Sequence, residues 1–483
     1  MPSRTKIGAL LCVTVGLLGT CWAADTDTDT NTDTNTQAPA DAPSNPLQLQ
    51  LGNITIMPVG FMDLTGVWKD KNAGGSIGSN FASVPYNTAS TSKLSEYRFS
   101  PQNSRIGFRV DGDWKGTHFI GYNEDDFLGT SGSNAISVTN GAFVLRLRLY
   151  WVDLRKDKFE FLGGQSWSMI TPNRKGISPL PSDIFYTQVM DVNYVIGLPW
   201  TRQPGVRFLY HPSEKATMGI AFENPDAYIG GSGGLSATAV TLPAASALSG
   251  LGGTQLDNAT SVQTTPNLTP DIIAKIAFDP AASVHFEIAG MERNFKVYDS
   301  ATNTYSTKVG AGGSVNANLE VVKNFRLITN QMWGQGIGRY FFGEAPDLIV
   351  RANGDVSPIH AAGWVEGFEA TLKNTLLFGY YSGIYVGRDV ALDANGTTLI
   401  GYGYRGASNN DNKTIQEVTL GFNQTLWKDA RYGALNLIGQ YEYLMRNPWY
   451  IAANAPKATH DNTIYFDVRY TLPGGAPAPR KKP

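Results

Sequence analysis

Cysteine is nearly absent from the 483-residue chain, which contains two, Cys12 and Cys21. Both lie in an N-terminal segment with the plan of a secretory signal peptide, in which Arg4 and Lys6 precede an apolar run and cleavage would follow Ala23. The mature chain would then hold no thiol, which excludes disulfides and cysteine-ligated metals. The sequence therefore predicts an exported protein with a signal peptide over residues 1–23.

The N-terminal segment has two other interpretations, a membrane anchor and a lipoprotein signal. A membrane anchor is disfavoured, because the apolar run from Ile7 to Leu18 is too short to cross a bilayer of about 30 Å as a helix. A lipoprotein signal acylated at Cys21 stays open as the alternative, although Thr20 fits that motif poorly.

Charged residues are also scarce, at 17% of the chain, and the formal net charge is −2. This balance lacks the basic footprint of a nucleic-acid-binding protein. The five histidines are scattered, with no two at the spacing of metal ligands. Short matches to enzyme motifs lack the strand and helix context that those motifs require. The sequence predicts no enzyme activity, no metal and no cofactor.

Long apolar runs are missing after the signal segment, which excludes helical membrane spans. Residues 24–50 are a low-complexity segment rich in Asp and Thr, which predicts a disordered periplasmic tether. Glycine is abundant (52 residues) and aromatic residues make up 11% of the chain. This composition favours an all-β fold with many glycine-containing loops.

The two faces of residues 463–472 differ sharply in polarity. Ile464, Phe466 and Val468 alternate with polar residues such as Asp467 and Arg469. Because a β-strand turns successive side chains to opposite faces, one face of this segment suits lipid and the other suits water. The pattern recurs in about sixteen segments, including residues 105–111, 143–151, 284–288, 417–423 and 435–443.

The connections between these segments alternate between short and long. Seven short turns are predicted near residues 111–115, 153–158, 212–215, 279–282, 323–324, 373–374 and 428–431. Eight long loops are predicted near residues 69–93, 128–140, 168–204, 225–269, 295–312, 334–358, 388–412 and 446–462. Because a sheet in lipid must have no open edge, this predicts a transmembrane antiparallel β-barrel over residues 51–473, with short periplasmic turns, long extracellular loops and a polar interior.

Aromatic residues near the strand ends are typical of the interfacial girdles of such barrels. The residues assigned to these girdles are Trp68, Trp114, Trp151, Tyr210, Trp427, Tyr432 and Tyr470.

Arginines lie on the polar faces of two strands, Arg105 and Arg109 on one and Arg146 and Arg148 on the other. If the apolar faces meet lipid, the guanidinium groups point into the lumen. Two interpretations stay open at this point. The arginines could pair with interior acids and stiffen the wall, and the acids considered are Asp125, Glu417 and Asp467. Alternatively, they could form a basic strip that attracts anions.

The long segment at residues 168–204 differs from the other loops in being apolar and aromatic. An outward loop has no reason for this composition, so the segment is interpreted as a constriction loop folded into the barrel; an extracellular cap or a subunit contact is the alternative. Its acids are Asp183 and Asp191. The full set of predicted pore-lining, anion-binding residues is Arg105, Arg109, Arg146, Arg148, Arg174, Lys175, Arg202 and Arg207.

Three short motifs resemble the DcaP-like porins of bacterial outer membranes. In order they are residues 103–108 (Asn-Ser-Arg-Ile-Gly-Phe), 123–127 (Asn-Glu-Asp-Asp-Phe) and 164–168 (Gly-Gln-Ser-Trp-Ser). The resemblance implies a sixteen-stranded trimeric barrel, an inward-folded third loop and diffusion of small, often anionic solutes. The chain departs from the family in having no N-terminal heptads and in a tail, residues 474–483, beyond the last strand.

The predicted function is an outer-membrane porin, a passive channel for small hydrophilic solutes that prefers anions such as small carboxylates or phosphate-like groups. The expected partners are these solutes, outer-membrane lipid and two further copies of the chain in a homotrimer, without nucleic acid. The alternatives are an adhesin or enzyme built on the same barrel and a soluble, secreted β-rich binding protein.

Overall fold

A computed structural model describes residues 47–129, 144–184, 187–231, 240–259, 265–407 and 410–473. The signal peptide, nearly all of the tether and the tail lie outside these ranges. The described chain forms one large antiparallel sheet that closes on itself, the sixteen-stranded barrel that the sequence predicts.

The barrel strands follow one another in chain order. They are β1 (Ile54–Lys69), β2 (Glu96–Ser100 and Arg105–Trp114), β3 (Thr117–Gly129), β4 (Val144–Lys156), β5 (Phe159–Trp167), β6 (Arg202–Ser213), β7 (Ala216–Glu223) and β8 (Asp271–Ala281). They continue as β9 (Val284–Asp299), β10 (Thr304–Val322), β11 (Phe325–Gln335), β12 (His360–Leu372), β13 (Thr375–Val386), β14 (Asn412–Asp429), β15 (Gly433–Pro448) and β16 (Thr459–Thr471).

The first and last strands close the cylinder. β1 pairs with β16 over residues 61–69 and, on its other side, with the two segments of β2 in succession. Each strand therefore has hydrogen-bonding neighbours on both sides, which removes the open edge that lipid cannot satisfy. A short strand, Leu49–Leu51, folds back on the start of β1. Two small hairpins lie in the loops, Leu348–Val350 with Val356–Pro358 and Asp389–Leu392 with Leu399–Tyr402.

The helical segments are single 3-10 turns at Phe81–Ser83, Ser90–Lys93, Pro181–Asp183 and Gly338–Tyr340. No helix in the described ranges has the length and apolar character needed to cross a membrane.

Among the described connections, one differs from the prediction; the loop predicted over residues 128–140 lies largely outside the described ranges. Seven of them are turns of two or three residues at one end of the barrel, as predicted. The long loop predicted over residues 295–312 is wrong, because β9 continues to Asp299 and β10 begins at Thr304. Its glycines suggested a loop, but Gly310, Gly312 and Gly313 lie in the ladder opposite residues of β9. The main-chain ladder of this hairpin continues through these glycines as far as Asp299 and Thr304.

The outer face of the barrel is apolar, as the alternation predicts. In β16, Ile464 and Phe466 are each 49% exposed, whereas the intervening Tyr465 and the neighbouring Asp467 are buried at 1% and 0%. The same division holds in β9, where Phe286 is exposed on the outside. The outer wall therefore presents the surface that hydrocarbon requires.

The alternation predicted for residues 143–151 is wrong in its second half. A register shift between β3 and β4 occurs at Arg148, which inserts an additional residue into the ladder. Leu147 faces outward, but Leu149 and Trp151 point inward and are 0% and 2% exposed. Trp151 stacks on Tyr122 at 5.3 Å between ring centroids, so its assignment to an interfacial girdle is also wrong.

The interior is more apolar than predicted. Inward side chains of the strands, such as Ile273, Met332 and Ile384, pack against loop residues such as Phe81 and Leu348 in one buried cluster. The alternation of the strands predicts a polar inner face, but it carries no information on which loops fold over that face. The loops therefore occupy part of the barrel interior.

Phe466→Arg should lower the free energy of unfolding in lipid by about 2–4 kcal/mol, because it places a cation on the hydrocarbon-facing wall. Urea titration of the protein folded into phospholipid bilayers measures this difference. Phe466→Leu at the same site is the matched control and should change stability far less. Equal stability of the two variants would show that this wall does not face lipid.

Candidate channel constriction

The segment between β5 and β6, residues 168–201, lies inside the barrel. Met169, Ile170, Val195, Ile196 and Leu198 are each 2% exposed or less. The segment packs against inward side chains of strands on several sides of the cylinder. Its residues 185 and 186 lie outside the described ranges. This segment, which differs from the other loops in its apolar composition, is thus buried inside the barrel.

Wall carboxylates accept hydrogen bonds from the main chain of this segment. Glu223 of β7 accepts from the Met169 amide at 2.7 Å. Glu287 of β9 accepts from the Asn173 amide at 3.0 Å. A carboxylate that accepts a buried N–H satisfies a donor whose isolation would cost about 1–3 kcal/mol. These acids fix the start of the segment to one side of the barrel.

The far end of the segment is fixed to the opposite side in the same way. The Ile196 amide donates to Glu417 of β14 at 3.1 Å, and the Met190 amide donates to Gln440 of β15 at 2.5 Å. The segment is therefore held at both ends by interior polar groups of the wall. Sequence reasoning missed this role, because each acid is one polar residue among many on the inward faces.

Two further contacts fix the segment at Arg174 and Gln188. Arg174 makes a two-point ion pair with Glu369 of β12, with distances of 2.6 and 2.9 Å. The Tyr380 hydroxyl of β13 accepts from the Gln188 amide at 3.0 Å and donates to Glu369 at 2.9 Å. Arg174 thus acts in the structure as an anchor of the segment.

The two acids predicted in the segment also accept hydrogen bonds that hold it in place. Asp191 is 1% exposed and accepts from the Ser79 amide at 2.8 Å and the Tyr465 hydroxyl at 3.1 Å. Burial raises the pKa of Asp191 above its ordinary value. Asp183 accepts from the Ser178 hydroxyl at 2.9 Å within the segment itself.

Four arginines gather beside this segment on the wall formed by β2, β3, β4 and the start of β6. Arg105 lies 3.4 Å from Glu124 and Arg146 lies 2.7 Å from Asp126. Arg148, which is 2% exposed, reaches both acids at 2.9 and 2.8 Å. We call Arg105, Arg146, Arg148 and Arg202, with Glu124 and Asp126, the arginine cluster.

The pairing acids differ from those considered in the sequence. Asp125 faces outward, where it accepts from Asn123 at 2.9 Å, and Glu124 and Asp126 face inward. Residues 123–126 are all polar, so their composition alone could not assign the two faces. Of the other two acids considered, Glu417 binds the segment, and Asp467 lies 3.5 Å from Arg469.

Arg202 differs from the other arginines of the cluster in having no carboxylate partner among the described residues. Its guanidinium lies over the rings of Trp167 and Trp200, 5.5 and 5.7 Å from their centroids. Its Nη1 and the Trp200 Nε1 are buried donors without an acceptor in the described structure. The site therefore combines a guanidinium without a direct carboxylate partner and unused hydrogen-bond donors, among the described residues.

The electrostatic effect of the cluster is visible at Tyr194 of the buried segment. Burial opposes ionisation of its hydroxyl, but the guanidinium groups of Arg148, Arg105 and Arg202 outweigh burial and lower the Tyr194 pKa. A lowered phenol pKa in a buried site indicates a positive local potential. The cluster would favour a negative charge at this position.

The structure does not bring the remaining predicted residues to the cluster. Arg109 pairs with Asp111 of its own strand at 2.6 and 2.7 Å. Arg207 is buried and donates to the Ser166 hydroxyl at 2.7 Å. Lys175 lines a separate cavity of about 340 Å³ with Lys215 near the short turns. No three His, Cys, Asp or Glu residues within the described ranges are placed to hold a metal ion.

The fold defined by these observations is that of the sixteen-stranded outer-membrane channels. The DcaP channel of Acinetobacter baumannii has a TM-score of 0.64 with this chain, at 15% identity, over 88% of this chain and 99% of that one. An anion-selective porin from Comamonas acidovorans has a TM-score of 0.48 at 11% identity, over 87% and 100% of the two chains. Salmonella typhi OmpF has a TM-score of 0.47 at 11% identity, over 88% and 100%.

No family model and no curated protein sequence matches the chain. At these identities the likeness to DcaP establishes the fold that the motif resemblance predicted.

Glu287→Gln should destabilise the protein by about 3–5 kcal/mol, because it leaves a buried ammonium group without its counter-charge. Lys275 and Glu287 are both 0% exposed and lie 2.7 Å apart, and Lys275 also donates to the Thr171 carbonyl of the buried segment at 2.9 Å. Urea unfolding in lipid measures the loss.

Glu320→Gln is the matched control for this change. Glu320 pairs with Arg326 at 3.3 Å, and both side chains are more than a quarter exposed, so its removal should cost about 0–1 kcal/mol. If Glu287→Gln lowered the free energy of unfolding no more than Glu320→Gln does, the buried pair would not hold the segment in place.

Proposed function

We propose that the protein is an outer-membrane porin through which small hydrophilic solutes diffuse passively, with a preference for anions. The observation that carries the proposal is the arginine cluster beside the buried segment. It contains four guanidinium groups and two carboxylates, which leaves two positive charges in excess. The fold shared with the DcaP channel supports the channel part of the proposal.

The preference for anions follows from the position of the excess charge. Arg202 forms no ion pair with a carboxylate of the described residues, and the Arg146 side chain is 37% exposed. Charge beside low-dielectric walls is screened less than charge in bulk water, so it raises the local concentration of anions and lowers that of cations. Guanidinium groups also offer paired donors that match carboxylate and phosphate oxygens. Small carboxylates and phosphate-like groups are the solutes that this chemistry favours.

The remaining parts of the proposal concern location and assembly. The N-terminal signal pattern and the apolar outer wall support insertion into an outer membrane after export. The resemblance in the three motifs supports a homotrimer. The buried segment at residues 168–201, fixed by wall acids, would act as the permanent constriction of each channel.

Arg202→Met should lower the anion-to-cation permeability ratio, because it removes one of the two excess charges while keeping an apolar stem against the tryptophan rings. Arg202 has no ion-pair partner in the described structure, so this change leaves no carboxylate newly unpaired. The reversal potential in planar bilayers under a salt gradient measures the ratio.

Arg351→Gln is the control, since Arg351 lies in an outer loop and pairs with Asp389 at 3.0 Å. It should leave the reversal potential unchanged. An unchanged reversal potential in Arg202→Met, with normal conductance, would reject the role of the cluster in selectivity. A folded protein that conducts no ions would reject the porin itself.

A further inference from the structure

Two cations share one tryptophan ring on the rim of the barrel, at the end that carries the long loops. The Arg388 guanidinium lies 5.6 Å from the centroid of the Trp449 ring, and the Lys413 ammonium lies 5.0 Å from the same centroid. Arg388 follows the end of β13, Lys413 lies at the start of β14, and Trp449 follows the end of β15. Both cationic side chains are exposed, and neither forms an ion pair among the described residues.

The fold holds this ring and the arginine in place. The Trp449 indole donates to the Val386 carbonyl at 2.9 Å, and its ring meets the ring of Tyr385 edge-on at 6.0 Å. Gly403 packs against the pair with a φ of 76°, and a Cβ there would come within 2.8 Å of Trp449 and 2.9 Å of Arg388. Only glycine accommodates both this φ and this close approach.

A bulge at the start of β14 brings Lys413 to the outer rim. The pairing of β14 with β15 shifts between Asn412 and Thr414, which inserts Lys413 as an additional residue. Asn412 is buried, whereas Thr414 pairs with Tyr385, which is 37% exposed on the outer wall. The extra residue therefore places a lysine beside Trp449 just beyond the regular ladder.

A cavity of about 370 Å³ next to Arg388 extends the positive surface along the rim. Lys308 and His360 line it together with Arg388, and Asp389 is the one acid among its lining residues. Asp389 pairs with Arg351 at 3.0 Å, so its charge is already compensated. We call Lys308, Arg388, Lys413 and Trp449 the basic rim.

The wall below the basic rim is apolar. Tyr381 of β13 and Val418 and Leu420 of β14 are 45%, 38% and 50% exposed on their outward faces. Tyr385 and Trp449 lie between this wall and the cations. Interfacial aromatic residues mark the level at which hydrocarbon gives way to lipid headgroups. The basic rim thus lies at the headgroup level of the leaflet on the long-loop side.

We propose that the basic rim binds the phosphate groups of a lipid in the outer leaflet, whose acyl chains lie on the apolar wall below. Two cations held over one ring repel each other, and a phosphate between them replaces this repulsion with attraction. Guanidinium and ammonium groups are both common phosphate ligands, and arginine offers paired donors. Basic pockets beside membrane-spanning segments are typical sites for anionic lipid headgroups.

A phosphorylated lipid fits this surface better than free phosphate does, because it uses both parts of the surface. Its headgroup meets the cations while its chains cover exposed apolar side chains, a contact that a soluble ion cannot make. The leaflet is the outer one because the long loops are extracellular. The inference rests on the proposed outer-membrane location and is independent of solute passage through the lumen.

Binding of diphosphoryl lipid A to the purified, delipidated protein in mild detergent tests this site. Native mass spectrometry measures the number of bound lipids and their apparent affinity. Arg388→Gln combined with Lys413→Gln should weaken binding roughly 30-fold, because each basic residue near a lipid phosphate contributes to the attraction. Thermal unfolding of the same samples verifies that the barrel is folded.

Two further variants are the controls. Lys115→Gln combined with Lys158→Gln removes the same charge from exposed positions at the short turns, and it should bind lipid A as the native protein does. Arg388→Lys combined with Lys413→Arg keeps both charges at the rim and should retain binding. The loss in the glutamine variant then reports charge at the rim.

Three results would overturn the inference. The first is equal affinity for lipid A in the native protein and in the folded glutamine variant. The second is equal binding of lipid A and its dephosphorylated form, which would leave only the apolar wall as the contact. The third is displacement of lipid A by an equal concentration of inorganic phosphate, which would make free phosphate the ligand. Normal channel conductance in the same preparations would leave the proposed porin intact in each case.

Discussion

Closure of the hydrogen-bonded ladder is the constraint on which the rest of the structure depends. Because lipid offers no partner for a main-chain N–H or C=O, β1 must find β16 after some four hundred residues. That requirement fixes the order of the strands, and the alternation along each strand then divides the molecule into an outside and an inside. The proposed function concerns the inside of this cylinder.

Inside the barrel, charge is compensated almost everywhere, and that compensation positions the constriction. Lys275 has Glu287, Arg174 has Glu369, and main-chain amides of the buried segment have Glu223 and Glu417. Each of these partners would be costly to leave alone in a low-dielectric interior. Against this background Arg202 is an exception, because it forms no ion pair among the described residues and its guanidinium lies over two tryptophan rings. Under the proposed function, a solute anion would give it a direct partner.

The sequence was sufficient for the fold wherever polarity alternated without interruption. β16 could be assigned residue by residue, since Ile464 and Asp467 leave no doubt about the two faces. It was insufficient at Arg148, where a bulge reverses the faces of a strand and nothing in its composition marks the extra residue. The arginine cluster was predictable only in part, again because the composition does not show which face a residue takes. The arginines could be found as charges on polar faces, but Glu124 and Asp126 could not be separated from Asp125 without the register of β3.

The two exceptions to the general pattern of the barrel have a common logic. Arg202 is a cation inside the barrel without an ion-pair partner among the described residues, and Glu366 is an acid on the outer wall. A folded protein keeps such groups when something else completes their environment in the working state. For Arg202 the proposed component is an anion in transit through the lumen. At Glu366 the Thr329 hydroxyl and the Gln331 amide supply hydrogen bonds to the carboxylate.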